Sequence, residues 1–188
     1  TGLVVDSGDT VTRSLPVYDG FLLTNAVQQL DVGGRDITTY MLQSLREQNE
    51  HHFFSQRRGF KIAESIKETL GFVTLDYTEE LARAHPTVRY ELGDAVILVG
   101  DERFRGPELL FQSDLIGMEG GGVVEILWKS VMMADADIRP TLMSQILLSG
   151  GSTLFPGFAQ RLAADCRRRW IDESAPVTLH TLPKRCID

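Results

Sequence analysis

Apolar and polar positions follow two different periods along this chain. Leu3-Val4-Val5 is a short apolar run that stops at Asp6-Ser7-Gly8-Asp9, and β-type residues restart at Thr10-Val11-Thr12. Two such runs flanking an acidic, glycine-containing break read as a hairpin. Residues 17–23 and 26–32 supply more strand or turn material, punctuated by Asp19-Gly20 and Gly33-Gly34. From Asp36 the period lengthens: Ile37, Tyr40, Met41, Ser44 and Leu45 fall near helical spacing. Residues 49–55 are polar and aromatic and read as a loop. A second helix is predicted over 61–70, where Ile62, Ile66 and Leu70 form one stripe, and a short one over 77–84.

The second half repeats these signals. Residues 88–92 and 95–99 flank Gly93-Asp94 and predict a hairpin. A short helix is expected over 107–111, with Pro107 in its first turn. Gly120-Gly121-Gly122 then breaks the chain before a helix over 123–133. Residues 146–148 read as a buried strand entering Ser149-Gly150-Gly151-Ser152, followed by a helix over 156–170 and a strand over 177–182. Strands and helices mixed in this way predict an α/β domain.

Composition narrows the class. The chain has 188 residues, 43% of them hydrophobic and 24% charged, which suits a folded globular protein. Its formal net charge of −7 argues against direct nucleic-acid binding, which rests on clustered Lys and Arg. No apolar run reaches the ~20 residues of a membrane-spanning helix, so no membrane insertion is expected. Cys166 and Cys186 are too few for a disulfide scaffold and fit a reduced intracellular compartment. The first residue is Thr1 rather than Met, which fits a processed chain or a piece of a longer polypeptide.

Two turns place small residues directly after apolar strands. At Asp6-Ser7-Gly8-Asp9, backbone N–H groups could face a phosphate, with Gly8 permitting close approach. A carboxylate there repels phosphate unless Mg²⁺ lies between, which makes Asp6 a candidate for holding metal-bound water. An ordinary hairpin with a capping aspartate explains the same tetrapeptide. At Leu148-Ser149-Gly150-Gly151-Ser152-Thr153, bare backbone would let a flat ligand lie close, or would simply make a tight strand-to-helix connection. Lys67 and Glu68 are adjacent on a helix and so point in different directions.

These features occur in one order. Thr1 to Asp9, then Gly34-Arg35-Asp36-Ile37-Thr38, Ile66-Lys67-Glu68, Asp101-Glu102-Arg103-Phe104-Arg105 with Pro107-Glu108, Phe111-Gln112, and Leu148 to Thr153 with Pro156-Gly157 resemble the actin family. The resemblance runs from Thr1 to about Pro183. It implies an actin-like ATPase (ribonuclease H-like) lobe of α/β class: a base subdomain from 1–32 plus 119–188, with an inserted smaller α/β subdomain over 33–118. By the same likeness Asp6, Ser7, Gly8, Asp9 and Thr10 form the second phosphate loop, with Asp6 near the Mg²⁺ water shell. Lys67 and Glu68 match the pair near adenine and ribose. Gly150 and Gly151 match the adenosine loop, and Leu154 and Phe155 stand where the family has Met and Tyr beside the base.

Three positions depart from the family. Thr10 replaces a Gly, and its Cβ is expected to crowd the γ-phosphate or a left-handed backbone. Arg13 replaces a His near the attacking water, and Arg185-Cys186 replaces an Arg-Lys pair. The resemblance covers only the second half of an actin, so the first phosphate loop, its metal-binding Asp and the catalytic Gln fall outside it. No catalytic residue is therefore assigned, and the isolated chain is expected to be inactive.

The remaining features are weaker. His51-His52 lack partners at metal-ligand spacing and read as a solvated loop. Arg167-Arg168-Arg169 suit a helix C-terminus, and Trp128, Met132 and Met133 suit core or lobe packing rather than a ligand site. Leu115-Ile116-Gly117-Met118 aligns with a family loop that contacts neighbouring subunits, and reads equally as a linker between subdomains. Two functions are implied. One is an ATP- and Mg²⁺-binding cytoskeletal protein of the cytoplasm, its ATP held between two lobes and coupled to assembly with actin-family subunits. The other is a non-catalytic scaffold subunit of a multi-protein complex, cytoskeletal or chromatin-associated in the nucleus. Sugar kinases and heat-shock chaperone ATPases share the phosphate turns, but the motifs after Gly33 do not suit them.

Overall fold

The computed structural model describes residues 1–48, 56–93, 95–170 and 176–181. Four strands open the chain: β1 (Gly2–Ser7), β2 (Thr12–Tyr18), β3 (Phe21–Leu22) and β4 (Gln28–Leu30). Next come α1 (Gly34–Gln48), α2 (Gln56–Leu70), α3 (Tyr77–Ala82), the hairpin β5 (Val88–Leu92) and β6 (Ala95–Val99), and α4 (Glu102–Glu108). A 3-10 turn at Ser113–Ile116 leads to α5 (Val123–Met133) and α6 (Arg139–Ser144). The chain then forms β7 (Ile146–Ser149), a 3-10 turn at Gly151–Leu154, α7 (Phe158–Arg169) and β8 (Leu179–Thr181).

The main sheet runs in the order β3-β2-β1-β7-β8, with β4 also paired to β2. The predicted first hairpin is present: β1 and β2 are antiparallel, with Asp6 opposite Arg13 and Ser7 opposite Thr12. Strand β7 lies parallel to β1, with Val5 opposite Leu148 and Asp6 opposite Ser149. These two strands therefore end at the same level, and both candidate turns emerge at one edge. Along β1 the side chains alternate: Leu3, Val5 and Ser7 are buried while Gly2, Val4 and Asp6 are half-buried. Helix α5 packs on β2 and β4, and α6 on β1. Among the described residues, the long segment between β4 and α5 contributes no strand to this sheet. Its helices α1, α2 and α4 pack on one another, and the segment joins the same core as the sheet through Ile37 and Met41 of α1, Ile66 of α2 and Leu110 just after α4.

Some boundaries differ from the sequence expectation. Helix α4 spans Glu102–Glu108, so Pro107 stands in its last turn rather than its first. Proline has no N–H to give the carbonyl four residues earlier. That carbonyl, on Arg103, instead accepts from the Phe72 N–H at 3.1 Å, so a neighbouring segment makes good the missing bond. Helix α6 was not expected; Pro140 stands in its first turn, and Arg139 donates to the carbonyls of Ala134 and Met132. His51-His52 and Arg185-Cys186 lie outside the described residues. Among the described residues no helix is long and apolar enough to cross a membrane, and no group of His, Cys, Asp and Glu could hold a metal.

One buried ion pair ties the helical segment to the sheet layer. The Glu108 side chain on α4 is fully buried and accepts from the Arg161 guanidinium of α7 at 2.9 and 3.2 Å. Gln112 donates to the same carboxylate, and Arg161 also reaches Asp165 at 2.7 Å and stacks over the Phe111 ring. Burial pushes the Glu108 carboxyl above its ordinary value, with Arg161 opposing that shift. The folded chain thus keeps this proton to a higher pH than the unfolded chain. The contribution to stability is full below the unfolded value and is lost as pH rises through the folded value. In urea titrations, the stability advantage of wild type over Glu108→Gln should therefore grow as pH falls from neutral to about 4, the ordinary carboxylate range. Arg161→Met, which leaves a buried carboxylate without its cation, should cost about 3–5 kcal/mol at neutral pH.

Candidate functional site

The two predicted turns meet at the edge where β1 and β7 end. After β1, the Gly8 N–H donates to the Val11 carbonyl at 3.0 Å and closes a tight turn. The buried Thr12 hydroxyl donates to the Val32 carbonyl, which leaves it to accept from the Ser7 hydroxyl at 2.8 Å. Ser7 is thus a fastener inside the hairpin. After β7, Gly150 adopts φ +88°, and a Cβ there would lie 2.1 Å from the Ser7 carbonyl oxygen. Only glycine lets these two backbones pass so closely.

A third segment closes the edge. At the start of α1, the Gly34 N–H donates to the Gly8 carbonyl at 3.0 Å, and the Arg35 N–H donates to the Asp9 carbonyl at 2.7 Å. The Arg35 guanidinium pairs with the Asp9 carboxylate at 2.9 Å, and the Ser152 hydroxyl also donates to the Gly8 carbonyl at 3.1 Å. From α2, the Lys67 ammonium reaches the Gly34 carbonyl at 3.0 Å and the Thr38 hydroxyl at 2.9 Å. Lys67 is buried, whereas its neighbour Glu68 is exposed, as adjacency on a helix requires.

These elements enclose a cleft of about 620 Å³, within the range for small-molecule sites. The first turn contributes Gly8 and Asp9, and the start of α1 contributes Gly34. Helix α2 contributes Glu64, Lys67 and Glu68, while Gly151, Ser152, Leu154, Phe155 and Pro156 form the opposite wall. Of the residues expected from sequence, seven are brought together here: Gly8, Asp9, Lys67, Glu68, Gly151, Leu154 and Phe155. Asp6, Ser7, Thr10 and Gly150 do not line it. Gly34, Glu64, Ser152 and Pro156 were missed. Glu64 lies three and four residues before Lys67 and Glu68, so helical spacing could have found it.

The arrangement suits a phosphorylated ligand with a flat apolar group. The N–H groups of Asp9 and Thr10 have no acceptor among the described residues, and the space beside Gly8 is open except for the Val11 carbonyl. Nothing would obstruct a Cβ on Gly151, so the backbone there is bare toward solvent. Half-exposed Leu154 and the Phe155 ring, which rests against Gly71, supply the apolar wall.

The departures can now be located. Thr10 is not left-handed: Asp19, φ +47°, is the non-glycine residue with positive φ among those described, so the strain expected at Thr10 is absent. Arg13 donates to the Gln29 side chain at 2.9 Å and does not line the cleft. In the stretch 115–118, Leu115 is 40% exposed and Gly117 turns the chain at φ +74°, while Ile116 and Met118 pack against the core. Buried Cys166 has its thiol pushed up to about 12 by burial, which leaves no thiolate for chemistry at neutral pH.

Comparison with known proteins adds two findings. A family model described as Actin matches residues 1–185. The chain is 40% identical over 190 residues to Actin-related protein 2 of Saccharomyces cerevisiae, covering 98% of this chain and 47% of that protein. It therefore spans about half the length of this curated relative.

The two adjacent glycines should respond differently to alanine. Gly150→Ala meets both a left-handed backbone and the Ser7 carbonyl, so it should lower unfolding stability by at least about 1–2 kcal/mol. Gly151→Ala has open space and no positive φ, and should stay within about 0.5 kcal/mol. Chemical denaturation of the two variants side by side measures the difference.

Proposed function

The chain belongs to the actin family, and on that premise we propose that it forms one wall of a cleft that holds ATP with Mg²⁺ between two lobes. The observation that carries this reading is the convergence of Gly8, Asp9, Lys67, Glu68, Gly151, Leu154 and Phe155 on one cleft of about 620 Å³. The free amides of Asp9 and Thr10 would receive phosphate oxygens, and Asp6 would hold water on the metal. Lys67 and Glu68 would face ribose and base, and Leu154 with Phe155 would pack the purine. When bound, Mg²⁺·ATP supplies the phosphoanhydride whose cleavage would be coupled to subunit assembly. We assign 1–32 with 119–188 to the base subdomain and 33–118 to the inserted one. The partners would be actin-family subunits or a multi-subunit complex in the cytoplasm and its cytoskeleton, and Leu115 to Met118 would be a contact loop.

A second reading is a scaffold subunit that holds ATP without hydrolysing it, in a cytoskeletal or a nuclear, chromatin-associated complex. Arg13 favours it. The guanidinium at that position is tied to Gln29 and offers no general base toward the cleft.

ATP binding and phosphate release, measured on the complete protein with both lobes, separate these readings. Release stimulated by polymer supports the filament subunit; tight binding without release supports the scaffold; no ATP binding overturns both. The isolated 188-residue chain should give no steady ATP turnover, because groups that orient water would have to come from a second lobe. Measurable turnover by this chain alone would refute the shared-cleft argument.

A further inference from the structure

The apolar wall of the cleft is held in place by a strap rather than by its own helix. Residues 71–74 leave the end of α2 without regular structure, yet each of three consecutive residues is bonded to a different segment. The Phe72 N–H donates to Arg103 on α4 at 3.1 Å, and the Val73 N–H donates to the Pro156 carbonyl at 2.8 Å. The Thr74 carbonyl accepts from the Arg161 guanidinium of α7 at 2.9 Å. The fit is close on the wall side: Gly157 has φ +88°, and a Cβ there would lie 2.1 Å from the Val73 carbonyl oxygen. The Phe155 ring lies against Gly71, where a Cβ would come within 2.8 Å of it.

Arg161 grips the strap and both helices around it with a single side chain. It is 8% exposed, forks onto Glu108 of α4, reaches Asp165 of its own helix and spends a further N–H on Thr74. The Thr74 hydroxyl beside that contact is buried without a partner, so Thr74 is held by its backbone alone. A planar fork of five donors can satisfy these acceptors together; a single ammonium cannot.

We propose that Arg161 is a positioning residue for ligand binding: through Thr74 and Val73 it sets Pro156 and Phe155 against the Lys67–Glu68 side of the cleft. This rests on the ATP-binding reading above. The contact it governs is with the base, since the strap touches the Leu154–Pro156 wall and not the Gly8–Asp9 turn. Loss of the fork should weaken recognition of adenine and leave phosphate recognition in place.

The experiment measures equilibrium binding of ATP and of inorganic triphosphate to the complete protein. The variants are Arg161→Lys and, should that one not fold, the neutral pair Glu108→Gln with Arg161→Gln. Arg168→Gln is the control; Arg168 is an exposed cation on the same helix that pairs with Asp165 and does not touch the strap. Circular dichroism confirms that each variant is folded at the binding temperature. The expected result is a Kd for ATP raised about tenfold, the scale of one hydrogen bond to a charged group, with the Kd for triphosphate changed less than about twofold. The fluorescence of 1,N6-etheno-ATP should shift toward that of the free nucleotide in the same variants and not in Arg168→Gln. Equal weakening of both ligands, or unchanged ATP binding in a folded variant, would overturn the positioning role alone. No ATP binding by the wild-type protein would overturn the ATP reading and this inference with it.

Discussion

The Gly8 carbonyl oxygen accepts from the Gly34 N–H at 3.0 Å and from the Ser152 hydroxyl at 3.1 Å. Three segments far apart in sequence thus meet on one atom: the turn after β1, the start of α1 and the turn after β7. A carbonyl has two lone pairs, and here both are used within the protein. That meeting depends on β1 and β7 ending level, which their parallel register from Leu3–Ile146 to Asp6–Ser149 enforces. It also depends on Gly150 passing against Ser7, where any side chain would collide with backbone. The cleft is therefore set by the sheet, with its lining residues carried by the turns after β1 and β7, the start of α1 and the last turns of α2. Ligands commonly bind outside the carboxyl ends of strands in open α/β sheets.

A second layer of bonds holds the far wall. Its logic differs, because the strap at 71–74 has no ladder or helix to satisfy its backbone groups. A buried segment of that kind must find partners elsewhere. It finds them on α4, on Pro156 and on Arg161, and the Pro107-induced gap in α4 becomes the acceptor for Phe72. Breaking any one of these leaves a buried backbone group unpaired, so the wall and the core are stabilised together. The ion pair of Arg161 with Glu108 belongs to the same layer, joining the helix that follows the small hairpin to the helix that follows the turn after β7.

The parts of this structure that were legible in sequence are those with strong local signals. The apolar run Leu3-Val4-Val5 before an acidic turn gave the first hairpin, and the stripe Ile62, Ile66 and Leu70 gave α2. The order of motifs then pointed to most of the cleft lining. What was not legible depended on tertiary partners. Helix α6 is six residues long, too short for its period to show. Pro107 looked like a helix start because the donor that repairs its turn, Phe72, lies thirty-five residues earlier. Thr10 looked strained only by comparison with a glycine; its own backbone needs no positive φ. Arg161 sat in an ordinary amphipathic helix, and nothing local distinguished it from Arg167 or Arg168.

The electrostatics of the cleft floor bear on what it holds. Helix α1 is 15 residues long, and its N-terminus carries the positive end of the helix dipole. The Lys67 ammonium sits against that same first turn, so two positive contributions coincide at Gly34. Such a pairing is unfavourable by itself. The sequence offsets it with acidic groups: Asp36 accepts from the Gly33 N–H at 2.8 Å, and Asp9 pairs with Arg35. Those carboxylates lie at the rim, where Asp9 and Arg35 are both more than half exposed and their attraction is weak in water. The amides of Asp9 and Thr10 still have no acceptor among the described residues. An anion on the cleft side of this turn would meet those two amides close to the positive end of α1. That electrostatic pattern supports the proposed placement of phosphate at the Gly8–Asp9 end of the cleft and of the flat apolar group at the Phe155 end.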